Sequence, residues 1–329
     1  MDTLLLSKDD IQKLITMDDV IEIVEETFRG MGEGTVVNPA KLTLDLGETG
    51  AWPPYKGFVN AMPSYVGWLD TAGMKWVGGF IENAKAGLPY LSGMILVIDP
   101  KNGQFLCVAE GALITNLRTG AQTAIALKYL HGGKSIRIGL YGAGAQGRTQ
   151  VLAISRIFEI EKLTVYDIRK EAAEALAEEM KGAVQGRIIL ARRPEEAAKA
   201  NAVISVTQAK EKFIKDSWIE PGTVLFPMGS YQECDDQFIT RADRIIVDHV
   251  EQCMHRGALR ELSAAGRITP ADIYATIGEI VAGRKKVPAV RKERILCIPV
   301  GTGAMDVAIA TVAMRKAGER SVGAKFAFA

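Results

Sequence analysis

Apolar positions along this chain change their period several times, and each change marks a different kind of element. Over residues 17–31, Val20, Ile21, Ile23, Val24 and Phe28 recur at helical spacing, which predicts an amphipathic helix with Thr16 as its N-cap and acids in its first turn. On this reading the helix opens the chain. Over residues 41–100 the pattern breaks into short runs, KLTLDL, FVNAMP, MKWVGGF and MILVID, punctuated by Gly, Pro and Asn. Such runs predict an antiparallel sheet. Residues 109–130 are largely apolar and predict a helix that His131-Gly132-Gly133 stops. A first α+β domain therefore ends near residue 130.

Beyond it, strand and helix patterns alternate. Strands are predicted over 136–141, 163–166, 188–191, 203–207, 224–228, 245–248 and 295–300, with helices over 170–180, 194–200, 250–264 and 270–282. Alternation of this kind predicts an α/β fold, a doubly wound parallel sheet with helices on both faces. A last helix over 305–316 follows Gly301-Thr302-Gly303 and returns to the first domain. The domain limits are thus 1–130 plus 305–329, and 131–304.

With 329 residues and 48% apolar side chains, the chain has enough material for two globular domains. Lysines and arginines number 40 against 39 acids, a balance that creates no field for nucleic acid or an anionic membrane. No apolar run approaches the roughly 20 residues of a membrane helix, and MDTLLLSKDD places acids where a signal peptide carries positive charge. The expectation is a cytoplasmic protein. Cys107, Cys234, Cys253 and Cys297 form no C-x-x-C pair, which fits reduced thiols in packing roles. His131, His249 and His255 show no metal-ligand spacing, so no metal is expected.

The sharpest chemical signal is Gly142-Ala143-Gly144-Ala145-Gln146-Gly147, which follows the strand over 136–141 and opens a helix. Glycines in this context allow a tight turn and a close approach of backbone to a pyrophosphate seated on the helix N-terminus. Asp167 ends the next strand, where a carboxylate accepts the ribose 2'-hydroxyl of NAD and repels the 2'-phosphate of NADP. NAD is favoured, while Arg169 keeps NADP open as a partner for that phosphate. The bland rival is a glycine-rich turn without a cofactor.

Three polar residues are candidates for chemistry. Lys75 lies in the strand pattern Gly73-Met74-Lys75-Trp76-Val77, and an inward lysine there loses water and drops its pKa towards the range of acid-base work. Its rival reading is a surface lysine on an edge strand. Arg118 stands between apolar stretches and needs an anionic partner, either a substrate carboxylate gripped by its planar fork or an internal salt bridge. Asp306 follows a Gly-Thr-Gly turn, and either stabilises a helix start or holds a substrate amino group. Trp52, Tyr55 and Trp76 offer an aromatic wall for the substrate, with core packing as the alternative.

Together these residues resemble the ornithine cyclodeaminase/mu-crystallin family, which also contains archaeal-type alanine dehydrogenases and ketimine reductases. The resemblance runs nearly end to end and rests on Met17-Asp18-Asp19, Ala61-Met62-Pro63, Met74-Lys75-Trp76-Val77, Gly87-Leu88-Pro89, Leu117-Arg118-Thr119-Gly120-Ala121, the glycine loop, Ala275-Thr276-Ile277-Gly278-Glu279, and Gly301-Thr302-Gly303 before Asp306-Val307-Ala308. It implies a homodimer in which a Rossmann-like domain is inserted into a smaller α+β substrate and dimerisation domain. It also implies that Lys41 and Arg118 hold the substrate carboxylate, that Lys75 works at the imine or amine, and that Asp306 acts beside it. Thr119, Gly142, Gly144, Ala145, Gln146, Gly147, Asp167, Arg169, Thr207, Gly229 and Ser230 are the implied cofactor contacts.

The implied activity is an NAD(P)-dependent oxidoreductase that interconverts a small α-amino acid and its imino or keto acid. Two alternatives stand beside it: an ornithine or lysine cyclodeaminase that recycles NAD internally, and a crystallin-like dinucleotide-binding protein without turnover. One departure bears on the choice. Cyclodeaminases carry an aspartate soon after the glycine that ends the fifth Rossmann strand, whereas this chain has Met228-Gly229-Ser230-Tyr231-Gln232-Glu233-Cys234-Asp235. Tyr231 stands near that aspartate's place, and a phenol is a poor base at neutral pH. Asn60 likewise stands where archaeal alanine dehydrogenases tend to carry an arginine.

Overall fold

A computed structural model describes residues 2–287 and 292–327. The chain separates into two compact units, residues 1–118 with 302–329, and residues 119–301.

In the first unit the chain begins with strand β1 (Asp2–Leu6) and helix α1 (Lys8–Leu14), which precede the helix expected to open it. That helix, α2 (Met17–Glu33), is capped as its sequence indicated: the Thr16 side chain accepts from the Asp19 N–H while Asp19 accepts from the Thr16 N–H. Gly34 ends it in the left-handed region at φ 80°. Strands β2 (Val36–Val37), β3 (Leu42–Leu46), β4 (Gly57–Val66), β5 (Thr71–Phe80), β6 (Leu91–Ile98) and β7 (Phe105–Glu110) follow. Helix α3 (Gly111–Leu130) starts where the Glu110 carboxylate accepts from the N–H groups of Ala112 and Leu113. The unit boundary falls inside α3, after Arg118.

The second unit alternates β8 (Ser135–Tyr141), α4 (Ala145–Ser155), β9 (Glu159–Tyr166), α5 (Lys170–Glu179), β10 (Arg187–Leu190), α6 (Pro194–Ala197), β11 (Ala202–Ser205) and β12 (Val224–Pro227). After α7 (Asp236–Arg241) and β13 (Arg244–Val247), the helix expected over 250–264 is broken into α8 (Val250–His255) and α9 (Arg260–Ala264) around Gly257, whose φ is 62°. The helix expected over 270–282 is also corrected. Its middle is strand β14 (Ile273–Thr276), paired parallel with β13, and only α10 (Ile277–Val281) is α-helical there. β15 (Ile295–Ile298) closes the unit. The chain then returns to the first unit as α11 (Gly303–Arg320) and β16 (Ala324–Ala327).

The second unit's sheet is parallel throughout, in the order β10-β9-β8-β11-β12-β15-β13-β14. Its strands β11, β12 and β15 are buried along their whole length, as expected of strands covered on both faces. The order reverses between β8 and β11, the switch point at which such sheets take ligands beyond the carboxyl ends of their strands.

The first unit's sheet has the order β16-β1-β7-β6-β5-β4-β2, with β3 also on β4. Pairing is antiparallel from β2 to β7, and β1 joins β7 in parallel. Helix α11 lies across β4, β5 and β6 and packs beside α2. The approach is close enough that a Cβ on Gly303 would stand 2.3 Å from the Met62 carbonyl oxygen, so only glycine serves at the start of α11.

Candidate active site

Alternation along β5 decides the fate of its one lysine. Lys75 and Val77 point to the face covered by α11, and Trp76 points to the other. Lys75 is paired across the sheet with Met62 on one side and Ile95 on the other, both buried, and is itself 1% exposed. The surface-lysine reading therefore fails. Its ammonium survives there because α11 delivers Asp306, fully buried in the helix's first turn, with Oδ1 at 2.9 Å from Nζ. Arg118 from α3 reaches the same oxygen, its Nε at 3.5 Å. Three charged side chains from one strand and two helices thus share a buried point.

One carboxylate between two cations leaves a positive excess, but burial governs the lysine. Burial lowers the Lys75 pKa most, the Asp306 charge opposes that, and the Arg118 charge adds to the lowering, bringing it to about 8. The second Asp306 oxygen, Oδ2, is buried without a hydrogen-bond partner among the described residues, and so is the hydroxyl of Thr302 just before α11. Buried acceptors seldom stay unpaired. On the same sheet face, Thr43 donates from Oγ1 to Asn60 Oδ1 at 2.6 Å. Lys41 lies immediately before β3 and is half-buried.

The aromatic wall does not form around this point. Trp76 projects from the opposite sheet face and is 51% exposed, while Trp52 and Tyr55 lie exposed in the segment between β3 and β4.

In the second unit the glycine loop joins β8 to α4. Gly142 turns at φ 96°, and a Cβ there would stand 2.8 Å from the Val206 carbonyl oxygen. On Gly147 a Cβ would stand 2.3 Å from the Gly142 oxygen. Gly144 is different, because nothing of the protein lies within 4 Å of its would-be Cβ. No side chain caps α4, and Gly144 and Ala145 are exposed where the first N–H groups of that helix begin. A tight turn, an open glycine and an uncapped helix start together fit a pyrophosphate.

Asp167 is 10% exposed at the end of β9 and is tied to the loop itself. Its Oδ2 accepts from the Ala143 N–H at 2.7 Å, and Oδ1 accepts from the Arg169 N–H at 2.8 Å. Arg169 points outward at 72% side-chain exposure. Gln146 is half-buried in the first turn of α4, and Thr119 offers its carbonyl to Gln150 Nε2 at 3.2 Å.

Thr207, Gly229 and Ser230 follow the ends of β11 and β12, and a residue that sequence reasoning missed connects two of them. Glu233, with no exposed surface, accepts from Thr207 Oγ1 and from the Gly229 N–H. Burial raises its pKa and the hydroxyls of Ser205 and Thr207 counter that rise. An acid inside the stretch from Met228 to Asp235 was the available signal, but two of its partners, Ser205 and Thr207, are more than 25 residues away in sequence. Arg148 was missed as well. It pairs with Glu179 and donates from Nη1 to the carbonyls of Ala143 and Gly144 at 2.6 and 3.2 Å, bracing the glycine loop from behind. Tyr231 has a buried hydroxyl without a partner among the described residues, and the Lys210 ammonium stands 5.3 Å from its ring centroid.

A buried lysine-aspartate-arginine cluster in one unit and a dinucleotide loop in the other form the combination that the motifs implied. The model of the ornithine cyclodeaminase/mu-crystallin family matches residues 1–321. The chain belongs to that family. An alanine dehydrogenase of Archaeoglobus fulgidus is 32% identical to it over 332 residues, covering 100% of this chain and 99% of the relative. Among solved structures, an archaeal alanine dehydrogenase dimer with bound NAD superposes with a TM-score of 0.91 at 31% identity, covering 100% of both chains. The Δ1-pyrroline-2-carboxylate reductase of Thermococcus litoralis, in complex with NADH and L-proline, also gives a TM-score of 0.91, at 35% identity over 98% of this chain and 99% of that one. The α/β fold with a Rossmann-like parallel sheet is the fold of this family.

Proposed function

We propose that the protein is an NAD-dependent oxidoreductase that interconverts a small α-amino acid and its imino or keto acid. The observation that carries the reading is the buried meeting of Lys75, Arg118 and Asp306, with one Asp306 oxygen still lacking a partner among the described residues. When bound, NAD would supply the hydride acceptor and donor; the chain's residues do the rest. Arg118 and Lys41 hold the substrate carboxylate, whose charge balances the positive excess of the cluster. Asp306 Oδ2 takes an N–H of the substrate and turns its α-carbon. Lys75 moves the proton, and a pKa brought to about 8 suits a group that must both accept and release one near neutrality.

In the second unit Gly142, Gly144, Ala145, Gln146 and Gly147 seat the pyrophosphate. Asp167 accepts the ribose hydroxyl and disfavours a 2'-phosphate, although Arg169 leaves weak use of NADP open. Thr119, Thr207, Gly229 and Ser230 complete the cofactor contacts. The named relatives act on alanine and on a cyclic imine related to proline, and both substrates pair one carboxylate with one nitrogen. The cluster offers partners for those two groups.

The working form is a homodimer. Leu42, Ala61, Trp76 and Met94 stand directly opposite one another across β3 to β6, on the sheet face away from α11. Leu42 is 73%, Trp76 51% and Met94 54% exposed, an apolar row of the kind that marks an interface. No helix among the described residues is long and apolar enough to cross a membrane. The four buried free cysteines are consistent with a place in the cytoplasm.

The test is NADH formation with NAD and a panel of L-alanine, L-proline, L-ornithine and L-lysine, with free ammonia assayed in parallel and the reverse reaction run on pyruvate plus ammonia and on Δ1-pyrroline-2-carboxylate. Oxidation needs neutral Lys75, so its rate rises with pH through about 8; reduction needs the protonated form and its rate falls over the same interval. Ammonia without NADH identifies a cyclodeaminase instead. Dinucleotide binding with no turnover in either direction rejects the enzyme.

A further inference from the structure

Glu233 is a fully buried carboxylate bonded to the segments that follow β11 and β12, and nothing in the reaction above uses it. Oε1 accepts from Ser205 Oγ at 2.6 Å, from Thr207 Oγ1 at 2.5 Å and from the Thr207 N–H at 3.3 Å. Oε2 accepts from the Gly229 N–H at 3.0 Å. Gly229 makes this possible, since a Cβ there would stand 2.8 Å from the carboxyl carbon. The backbone of Glu233 is anchored too, its carbonyl accepting from the Ile214 N–H at 3.0 Å beside the Ile214–Cys234 bridge. The carboxylate therefore ties the loop after β11 to the loop after β12.

Place within the sheet gives this tie a purpose. The sheet reverses between β8 and β11, and a dinucleotide lies across such a reversal. Asp167, at the end of β9, stands on the side that takes the adenosine ribose. The loops that Glu233 joins stand on the other side, where the nicotinamide half extends. Burying a carboxylate solely to join two loops is costly when apolar packing does that work without desolvating a charge.

We propose that Glu233 is a positioning residue for the nicotinamide half of the cofactor, fixing the spacing of the Thr207 and Gly229 loops while leaving the adenosine half independent of it. The proposal rests on the dinucleotide reading above. It assigns Glu233 no contact with substrate or hydride. Its action passes through Thr207 and through the Gly229 backbone.

Glu233→Gln is the sharpest perturbation. The amide oxygen replaces Oε1 and keeps the three donors of Ser205 and Thr207, which places the NH2 group against the Gly229 N–H, donor facing donor. The Gly229 loop is pushed away and the Thr207 loop stays.

The experiment is titration of wild type and variant with NADH and, separately, with ADP-ribose, which carries the adenosine and pyrophosphate but no nicotinamide. The expected result is an NADH Kd raised about tenfold with the ADP-ribose Kd changed less than about twofold. Equal weakening of both ligands shows a general staple of the fold and overturns the proposal, as does unchanged NADH binding. A wild type that binds neither ligand overturns the dinucleotide reading, and the proposal with it. Should Glu233→Gln fail to fold, Ser205→Ala removes one donor and is read in the same way. The ratio of NADH to ADP-ribose affinity then falls about threefold, and an unchanged ratio rejects the assignment.

Discussion

Replacing Asp306 by asparagine removes the one negative charge between two buried cations, and Lys75 responds by losing its proton. Nζ lies 2.9 Å from Oδ1, where Coulomb attraction at an effective dielectric of about 20 amounts to about 6 kcal/mol, or about four pH units of lysine titration. Wild-type Lys75 titrates at about 8 when folded against an ordinary 10.5. Without Asp306 it is neutral throughout the range from pH 6 to 9, whereas the unfolded lysine binds its proton over all of it. In the wild type, the folded state's penalty for this lysine grows as pH falls from the unfolded value to about 8 and is constant below. In the variant it keeps growing, by about 1.4 kcal/mol per pH unit. The extra loss of stability is then near zero at pH 9, about 1.4 kcal/mol at pH 7 and about 2.7 kcal/mol at pH 6. Arg118 keeps its charge and contributes a further loss that does not depend on pH. Urea unfolding of both proteins at one chain concentration, across that pH range, measures the difference. A gap that stays constant from pH 9 to pH 6 would refute the linkage between Asp306 and the Lys75 proton.

Much of this architecture is legible in sequence where local signals agree with tertiary packing. Helix α2 carries its period, its cap and its stop within one stretch, and it spans Met17–Glu33 against an expected 17–31. The glycine loop is equally local. Elements that long-range pairing decides are not. β1 has only five residues, and its partners β7 and β16 lie far along the chain. β14 sits inside a stretch with helical spacing, yet its pairing with β13 overrides that preference. The same limit applies to the site. Lys75 and Arg118 stand out as polar residues in apolar surroundings and Asp306 as an acid after a Gly-Thr-Gly turn, but Lys75 and Asp306 are 231 residues apart, and sequence shows neither their contact nor the spare oxygen. Glu233 is marked locally only as an acid near Gly229, because Ser205 and Thr207 acquire their meaning only when the adjacent strand brings them to it.

Arg118→Ala removes the fork assigned to the substrate carboxylate, and steady-state kinetics are expected to show a KM raised at least about tenfold. An unchanged KM rejects that role. Trp76→Glu places a charge in the exposed apolar row and shifts the chain from dimer towards monomer in sedimentation, while a variant as dimeric as wild type moves the interface elsewhere. The glycine loop offers an internal control. Gly142→Ala forces a side chain into a φ of 96° beside the Val206 carbonyl and is expected to lower stability by more than about 1 kcal/mol. Gly144 has extended backbone at φ −82° and open space around its missing Cβ, so Gly144→Ala costs the apo fold less than about 1 kcal/mol. Its added methyl occupies the space through which a pyrophosphate would meet the backbone, and NADH affinity measured by titration should fall at least about tenfold. The two alanines therefore separate what the turn needs from what the ligand needs. If the folded Gly144→Ala protein binds NADH as wild type does, the dinucleotide does not sit on this loop.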